Sequence, residues 1–371
     1  MITLSPAFLK VSQEIEKQYP GSSLKQISGI RDKRRIPTGI FIVDRLLGGG
    51  ILANRIALFS GHKASFKTTL ALKCAKNFLD RCGICFELKE LCECHTSIEK
   101  PRIVAFIDIE RTLDQSLPTR LGIDPEYFYY TETPYAEAAC EYLEKLAKTP
   151  DVGFLIFDSV GLLASKNEIG KSFVQNIGGM RERSRLVARL IRALIANTDS
   201  SSTPRTIILL NHLLPGEHGD IRPGGETQEY GSSLVLKLWK GKRTKLVIGK
   251  DGQFSESSYG DDGFAKKEPK VEPLKQPVGF LIEHSRYCAD NITGEFELFL
   301  ESGEDFHFAD SNDWRTIMLH AQKAGLLEKN GSGWHMLGHE YRLREDAIVQ
   351  WKTDKVVFEQ ARKAIIQHYY E

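Results

Sequence analysis

Four apolar segments of strand length, each leading into polar residues, restrict the fold more than any other feature of the chain. They cover residues 56–60, 103–108, 154–158 and 206–211. Longer helical patterns separate them. Alternation of strand and helix predicts parallel pairing with right-handed crossovers. We therefore predict an α/β core with a mostly parallel central sheet and flanking helices.

The first of these strands runs into a loop with the parts of a phosphate-binding loop. The loop comprises Gly61, His62, Lys63, Ala64, Ser65, Phe66, Lys67, Thr68 and Thr69, and a helical pattern follows. In such a loop, backbone N–H groups and the helix N-terminus surround phosphates, Lys67 reaches the β- and γ-phosphates, and Thr68 binds Mg²⁺. Phe66 stands where the usual pattern has a second glycine. On this segment alone, a chance turn of glycine and lysine remains an alternative.

The other strands supply the remaining groups that phosphate chemistry needs. Asp158 ends a buried strand, where its carboxylate can bind Mg²⁺ through water. Glu110 follows an earlier strand and can orient and activate an attacking water. Asn211 and His212 follow the fourth, where a polar side chain can sense the γ-phosphate. Acids end strands in many α/β proteins, but four polar ends with a Lys-Thr loop on the first favour ATP hydrolysis.

Smaller parts precede and follow the core, which we expect to span residues 36–301. Residues 1–35 predict a helix over 5–19, a linker and a basic run at 31–35, and we interpret them as a subunit-packing segment. Residues 302–371 predict a small α+β domain with a helix over 312–324, a hairpin and a final helix reaching Tyr370.

The second half of the core predicts strands that look like antiparallel additions to the sheet. They cover residues 234–239, 245–249, 278–283 and 295–300. A polar stretch rich in glycine, serine, lysine and aspartate spans 250–276, which we expect to be a mobile surface loop.

Length and charge narrow the class of protein. At roughly 150 residues per domain, 371 residues suggest about two folding units. Fifty Lys and Arg against 49 Asp and Glu give a net charge of +1, which excludes a uniformly basic nucleic-acid coat but not a local basic patch. The N-terminus carries acids and no long apolar run, so we expect no signal peptide, a cytoplasmic location and reduced cysteines.

The order of the motifs resembles the RecA recombinases and, within them, the UvsX recombinases of phages. After the phosphate loop come AFIDIERTLD, LGID, FLIFDSVGLLAS, LLNH and a Gly-Gly segment. The Ser65-Phe66-Lys67 variant of the loop is similar to that of UvsX. The resemblance covers nearly the whole chain, and it is weaker in the N-terminal segment and the last 30 residues.

The resemblance implies roles for particular residues. Glu110 takes the place of the catalytic glutamate, and Asp114 that of the acid that contacts adenine. Leu117 stands where RecA has an aromatic that stacks on the base. His212 replaces the γ-phosphate-sensing glutamine. Arg286 matches the region that reaches the ATP of the neighbouring subunit, where a cation would stabilise transition-state charge.

A basic segment at 166–192 is the main candidate for DNA contact. It holds seven Lys and Arg against two acids, and Arg181, Arg185, Arg189 and Arg192 recur on one side of a helical pattern. A solvated charged face is the alternative, but such faces usually mix signs. The resemblance implies a first DNA-binding loop at 171–179 that includes Lys171, with Met180 inserted between bases and Arg185 on a phosphate.

A second DNA-binding loop, at 213–225, rests on the resemblance alone. It has the glycine and proline content of a mobile loop, and its only arginine, Arg222, lies near two acids. Tyr230 matches an aromatic at the subunit interface. A third basic run, 237–250, would guide a second DNA strand or the duplex, or would form a solvated hairpin.

Four cysteines close together in sequence suggest a metal site. Cys82, Cys85, Cys92 and Cys94 fall within 13 residues, in an apparent insertion at 82–100, with spacing suited to tetrahedral Zn²⁺. His95 could replace one thiol. Reduced, half-buried cysteines without a ligand are the alternative.

Together these features predict an ATP- and Mg²⁺-dependent recombinase that forms head-to-tail helical filaments on single-stranded DNA and pairs it with homologous duplex. Single-strand-binding and mediator proteins are further expected partners. One alternative is a RecA-fold ring ATPase, of the helicase or clock type. Another is a non-catalytic DNA-binding paralogue or mediator with a degraded phosphate loop.

Overall fold

The computed structural model describes residues 6–18, 34–94, 102–163, 179–198, 205–217, 219–242, 246–248, 254–256, 274–303, 306–311 and 313–370. Among these residues, no helix combines the length and the apolar character needed to cross a membrane.

The helices of the described residues are α1 (Pro6–Gln18), α2 (Phe41–Leu46), α3 (Lys67–Leu79), α4 (Leu117–Arg120), α5 (Ala136–Leu146), α6 (Gly179–Thr198), α7 (Thr227–Gly231), α8 (Trp314–Lys323), α9 (Glu345–Thr353) and α10 (Lys355–His368). The strands are β1 (Arg35–Ile36), β2 (Ile51–Leu52), β3 (Ile56–Gly61), β4 (Ile103–Asp108), β5 (Phe128–Glu132), β6 (Val152–Asp158), β7 (Thr206–His212), β8 (Leu214–Gly216), β9 (Gly219–Ile221), β10 (Leu234–Lys240), β11 (Leu246–Ile248), β12 (Phe254–Glu256), β13 (Lys275–Ser285), β14 (Ile292–Phe299), β15 (Glu328–Asn330), β16 (Gly333–Met336) and β17 (His339–Tyr341).

An eight-stranded sheet forms the centre of the molecule, in the order β14-β13-β10-β3-β7-β6-β4-β5. The six strands from β10 to β5 are parallel, and β13 and β14 are antiparallel additions. Every residue of β3 and β6 is buried, as expected for strands covered on both faces. Helix α3 packs in the core on one face, and α5 and α6 pack in the core on the other. The predicted α/β class is confirmed.

Several strands differ from the sequence prediction. Strand β10 was expected to be antiparallel, but it pairs in parallel with β3 and is antiparallel only to β13. Strand β11 lies outside the central sheet and pairs with β12, which falls in the segment expected to be a loop. Strand β5 was not predicted, because an edge strand with exposed tyrosines lacks an apolar run.

The segment interpreted as a second mobile loop contains a hairpin. Strands β8 and β9 pair from Leu214 with Ile221 to Gly216 with Gly219. Their side chains are mostly exposed, so the sequence carries no alternation of apolar and polar residues that would have predicted strands.

The C-terminal region (residues 306–370) packs on the sheet-bearing part of the chain. Its core joins Ile317, Trp351 and Ile365 to Phe41 of α2. The predicted final helix is in fact two helices, because Asp354 ends α9 and caps α10 by accepting hydrogen bonds from two backbone N–H groups. The predicted hairpin is present as β16 and β17, with β15 as a third strand.

Candidate nucleotide-binding and DNA-binding site

The predicted polar strand ends meet at one edge of the sheet. In the parallel register Gly61 lies beside His212, and Asp158 lies beside Asp108. Strands β3, β7, β6 and β4 are neighbours, so their carboxyl ends form one continuous edge. Ligands of open α/β sheets bind at this edge. We call it the nucleotide edge.

The phosphate loop closes tightly over the end of β3. A Cβ atom on Gly61 would lie 2.2 Å from the carbonyl oxygen of Leu238, so no larger residue fits there. Ala64 and Phe66 have φ of 59° and 66°, the left-handed region in which glycine is favoured. The backbone thus adopts the conformation of the missing glycine. Phe66 compensates by packing its ring, partly buried, against the core.

Lys67 lies where it can bind phosphate oxygens. Its Nζ donates to the carbonyl oxygens of Gly61 at 2.9 Å and His62 at 3.0 Å, and it lies 3.5 Å from Nδ1 of His212. Burial lowers the pKa of Lys67, although the charges of Asp158 and Glu110 oppose that shift. The amine is therefore held inside the loop by neutral acceptors that a phosphate can replace.

Thr68 and Asp158, the two residues predicted to hold Mg²⁺, contact each other. The Thr68 hydroxyl donates to Oδ2 of Asp158 at 2.9 Å. Burial and then the charge of Glu110 raise the pKa of Asp158 to about 7. A hydroxyl and a buried carboxylate are hard oxygen donors that suit Mg²⁺, and a bound cation would favour the ionised acid.

Glu110 contacts His212 across the nucleotide edge, with Oε1 2.6 Å from Nε2. Asp108 shapes the turn that carries Glu110, because its carboxylate accepts from the backbone N–H groups of Arg111, Thr112 and Leu113. Burial would raise the pKa of Glu110, but the hydrogen bond and charge of His212 and the charge of Lys67 outweigh it and lower the pKa. An ionised carboxylate can accept a proton from water.

The two residues considered for contact with adenine, Asp114 and Leu117, interact with other parts of the chain. Asp114 is exposed, and its carboxylate accepts from the backbone N–H and hydroxyl of Ser116, which lower its pKa. Leu117 begins α4 and packs partly buried against the core.

Arg286 lies at the amino ends of the parallel strands, opposite the nucleotide edge that holds Lys67. Because β13 is antiparallel, Ser285 pairs with Leu234, which lies beside Ala57 near the start of β3. That start is four residues, or about 13 Å, from Gly61. The Arg286 guanidinium donates to the carbonyl oxygen of Tyr230 at 2.5 Å. One chain therefore does not bring Arg286 to its own phosphate loop.

Helix α6 presents arginines opposite an apolar face. Val187, Leu190, Ile191 and Leu194 are buried, whereas Ile195 is 47% exposed. Arg185, Arg189 and Arg192 are exposed. Lys171 lies outside the described residues, as do the side chains of Met180 and Arg181.

Arg222, expected to contact DNA, instead has protein partners. Its guanidinium donates to carboxylates of Glu229 and Glu283 and, at 2.9 Å, to Oγ of Ser60. The side chain is 9% exposed. Arg222 therefore connects the end of the hairpin to the sheet, and its guanidinium does not face solvent.

The hairpin also contacts the phosphate loop, which the sequence did not predict. Asp220 of β9 lies 3.2 Å from Nε2 of His62 and accepts from Lys237 at 2.6 Å. Asn211, at the end of β7, donates to the carbonyl oxygen of Pro223 and to Gln228. His62, Asn211 and Ser60 thus each connect the nucleotide edge to residues 219–228.

The cysteines expected to bind zinc are brought together. Sulfur atoms of Cys82, Cys85, Cys92 and Cys94 all lie within 4.8 Å of one another. His95 falls outside the described residues.

Comparison with known proteins agrees with this geometry. The family described as RecA N-terminal domain matches residues 86–246. The chain is 26% identical over 315 residues to Protein RecA of Malacoplasma penetrans, covering 80% of this chain and 84% of that one. It is 27% identical over 336 residues to Protein RecA of Syntrophus aciditrophicus, covering 90% and 83%. Protein RecA of Wolinella succinogenes is 33% identical over 180 residues, covering 48% and 45%. The chain is thus similar to Protein RecA of several bacteria over most of its length, and its residues 86–246 match the RecA N-terminal domain.

Proposed function

We propose that this chain is an ATP-dependent DNA recombinase, most like the UvsX recombinases of phages. It forms helical filaments on single-stranded DNA and catalyses homologous pairing and strand exchange. The observation that carries the proposal is the convergence of Lys67, Thr68, Glu110, Asp158 and His212 at one sheet edge. ATP and Mg²⁺ are the cofactors, and the cytoplasm is the site of action, in a bacterial host if a phage encodes the chain.

Hydrolysis follows from what these side chains do. Lys67 leaves the loop carbonyls and binds the β- and γ-phosphates. Thr68 and Asp158 would hold Mg²⁺, which would supply positive charge to neutralise the phosphates. Glu110 orients the attacking water and accepts its proton, and His212 reports the γ-phosphate because it already contacts both Glu110 and Lys67.

Assembly completes the site. Since Arg286 lies at the far edge of its own sheet, we assign it to the ATP of a neighbouring subunit, where its charge stabilises the transition state. Exposed apolar side chains are available for such contacts: Val11 and Ile15 of α1 are 57% and 42% exposed, Tyr129 of the edge strand β5 57%, and Tyr230 70%. A head-to-tail interface of this kind extends into a filament when it does not close.

Packing contacts connect the proposed ATP site to the proposed DNA site. The His62–Asp220 contact joins the phosphate loop to the hairpin, and a Cβ on Gly231 would lie 2.2 Å from Ile191 of α6, so α7 packs closely on the arginine-bearing helix. Arg185 and Arg189 contact backbone phosphates of single-stranded DNA, and the duplex, single-strand-binding proteins and mediators are further partners. Lys237, already paired with Asp220, contributes less than the rest of its basic run.

One experiment tests the function as a whole. ATP turnover with and without single-stranded DNA, and electron microscopy with an ATP analogue, should give DNA-stimulated hydrolysis and helical filaments. Closed rings without filaments would favour the ring ATPase. Absence of stimulation, with no effect of Glu110→Ala, would favour the non-catalytic paralogue.

A mixing experiment tests Arg286 in particular. Arg286→Ala and Lys67→Ala should each lack DNA-stimulated turnover, but an equal mixture should regain roughly a quarter of it, because random assembly pairs an intact loop with an intact arginine at that frequency. Arg55→Ala, an exposed arginine just before β3, is the matched control and should stay active. No recovery in the mixture would contradict donation between subunits.

A further inference from the structure

A compact turn follows α3 and carries two pairs of thiols. Residues 81–94, which we call the cysteine knuckle, hold Cys82 and Cys85 in one pair and Cys92 and Cys94 in the other. Their four sulfurs lie within 4.8 Å of one another, and those of Cys85 and Cys92 are 3.5 Å apart. Tetrahedral zinc with bonds of about 2.3 Å sets its sulfurs about 3.8 Å apart. Shifts of an ångström or less, on the order of side-chain adjustments, therefore suffice.

The backbone of the knuckle is arranged around the sulfurs. The N–H of Ile84 donates to Sγ of Cys82 at 3.4 Å, and the N–H of Cys94 donates to Sγ of Cys92 at 3.2 Å. Such donors stabilise negatively charged sulfur ligands. The turn is closed by the N–H of Phe86 on the carbonyl oxygen of Cys82 at 3.1 Å. Cys82 is buried and the other three are half-buried, so an ion can enter.

Cationic side chains lie beside the knuckle, which itself carries Glu87, Glu90 and Glu93. Four thiolates around Zn²⁺ carry a net charge of −2. Arg102 lies over the rings of Phe78 and Phe86, at 3.9 Å and 4.8 Å, and donates to the carbonyl oxygen of Cys82. Lys363 pairs with Glu87 of the knuckle. Arg102 therefore places a positive charge next to Cys82, where a zinc centre would be anionic.

The knuckle also contacts the C-terminal region. Arg81 donates to the carbonyl oxygen of Phe86 at 3.0 Å and to Glu359 of α10 at 2.8 Å. Glu359 in turn pairs with Arg362, which lies 3.7 Å from Asp44 of α2. Both ends of this network are buried, so a displaced Arg81 would leave Glu359 short of a partner in a dry site.

We propose that Cys82, Cys85, Cys92 and Cys94 bind one Zn²⁺ ion, and that the zinc-bound knuckle holds α10 against the ATPase core. The knuckle has few apolar residues, and Phe86 and Leu88 are buried. The ion therefore supplies the rigidity that a small core cannot. Through Arg81 and Glu87 this rigidity reaches Glu359 and Lys363.

Zinc content tests the first half of the proposal. Full-length protein, purified under reducing conditions and analysed by plasma mass spectrometry, should hold about one zinc per chain. Cys82→Ser with Cys85→Ser should lose it, whereas the control Cys288→Ser, outside the knuckle, should retain it. Protein that holds no zinc after reconstitution with zinc salt, or holds iron instead, would overturn the assignment.

Hydrogen exchange tests the second half. Removal of zinc from wild-type protein by a chelator should speed amide exchange in residues 355–368 at least about tenfold, while exchange in β3 and β6 stays unchanged. Glu87→Gln, which keeps all four thiols, should retain zinc yet speed exchange in α10 to a smaller extent. Unchanged exchange in α10 after complete zinc removal would overturn the docking role. Chelation of the wild type makes this test independent of whether the double variant folds.

Discussion

The nucleotide edge and the cysteine knuckle reach the same end, a cluster of ligand atoms, by different means. At the nucleotide edge, buried parallel strands fix the positions, and the side chains satisfy one another: Thr68 with Asp158, His212 with Glu110. In the knuckle, short turns bring the thiols together, and three of the four stay half-buried. The first site should therefore keep its shape without its ligand. The second should depend on its ion.

The largest expected effect separates chemistry from stability at the nucleotide edge. Lys67→Ala should lower ATP turnover at least about a hundredfold, because the ammonium that neutralises the β- and γ-phosphates is lost. Thermal unfolding should change little, since the sheet and not Lys67 holds the edge together. Steady-state hydrolysis and a melting curve on the same sample check both. Turnover above a tenth of wild type would contradict the assignment of Lys67.

Acidity should weaken the Mg²⁺ site without disordering it. The pKa of Asp158 is raised from 3.8 to about 7, so the metal must displace a proton below pH 7. Apparent Mg²⁺ affinity should fall by up to about tenfold per pH unit below 7 and level off above it.

The raised pKa of Asp158 affects the stability of the metal-free protein in the opposite direction to its effect on Mg²⁺ affinity. A raised folded pKa means that the native state binds the extra proton, so the contribution of Asp158 to stability is greatest below pH 4 and declines as pH rises through 7. In Asp158→Asn both trends should disappear. A Mg²⁺ affinity in wild type that is flat from pH 6 to 8 would argue against a titrating Asp158.

At the knuckle, loss of the ligand should affect stability more than nucleotide binding, the reverse of the effect of Lys67→Ala. Chelation of zinc should lower the unfolding midpoint of the C-terminal region by about 4 °C or more, while nucleotide binding persists. Calorimetry and binding of a fluorescent ATP analogue measure the two. Loss of nucleotide binding together with zinc would show that the two sites are not independent.

The smallest effect concerns Phe66. Phe66→Gly relieves a left-handed φ of 66° but removes a partly buried ring, so the unfolding free energy should change by no more than about 1 kcal/mol. Phe66→Ala loses the ring and keeps most of the strain, so it should be the less stable of the two. Denaturant unfolding ranks them. Phe66→Ala as stable as Phe66→Gly would mean that backbone strain contributes little.

The sequence predicted the nucleotide edge because its signals are local: apolar runs mark the strands, and Glu110, Asp158 and His212 follow them directly. It did not predict the partners of Arg222, because Ser60 and Glu283 lie 162 and 61 residues away. The direction of β10 was predicted wrongly because the described residues between β7 and β10 form the β8–β9 hairpin and the five-residue helix α7, which give no long helical pattern of a parallel crossover. Spacing predicted the four thiols, but not the contact between Arg81 and Glu359, 278 residues apart.

The position of Arg286 affects how many complete ATP sites an assembly of subunits contains. In the proposed assembly, each chain would hold the phosphate loop of one site and Arg286 of another, because the two lie at opposite ends of the parallel strands. A row of subunits then contains one complete site fewer than it has members, and an isolated chain contains none. Hydrolysis per subunit rises with the length of the row and approaches a ceiling. The phosphate loop of the last subunit would have no Arg286 from a neighbour and would keep its ATP. A short row of subunits would therefore retain nucleotide, whereas a long row would hydrolyse it at its interior sites.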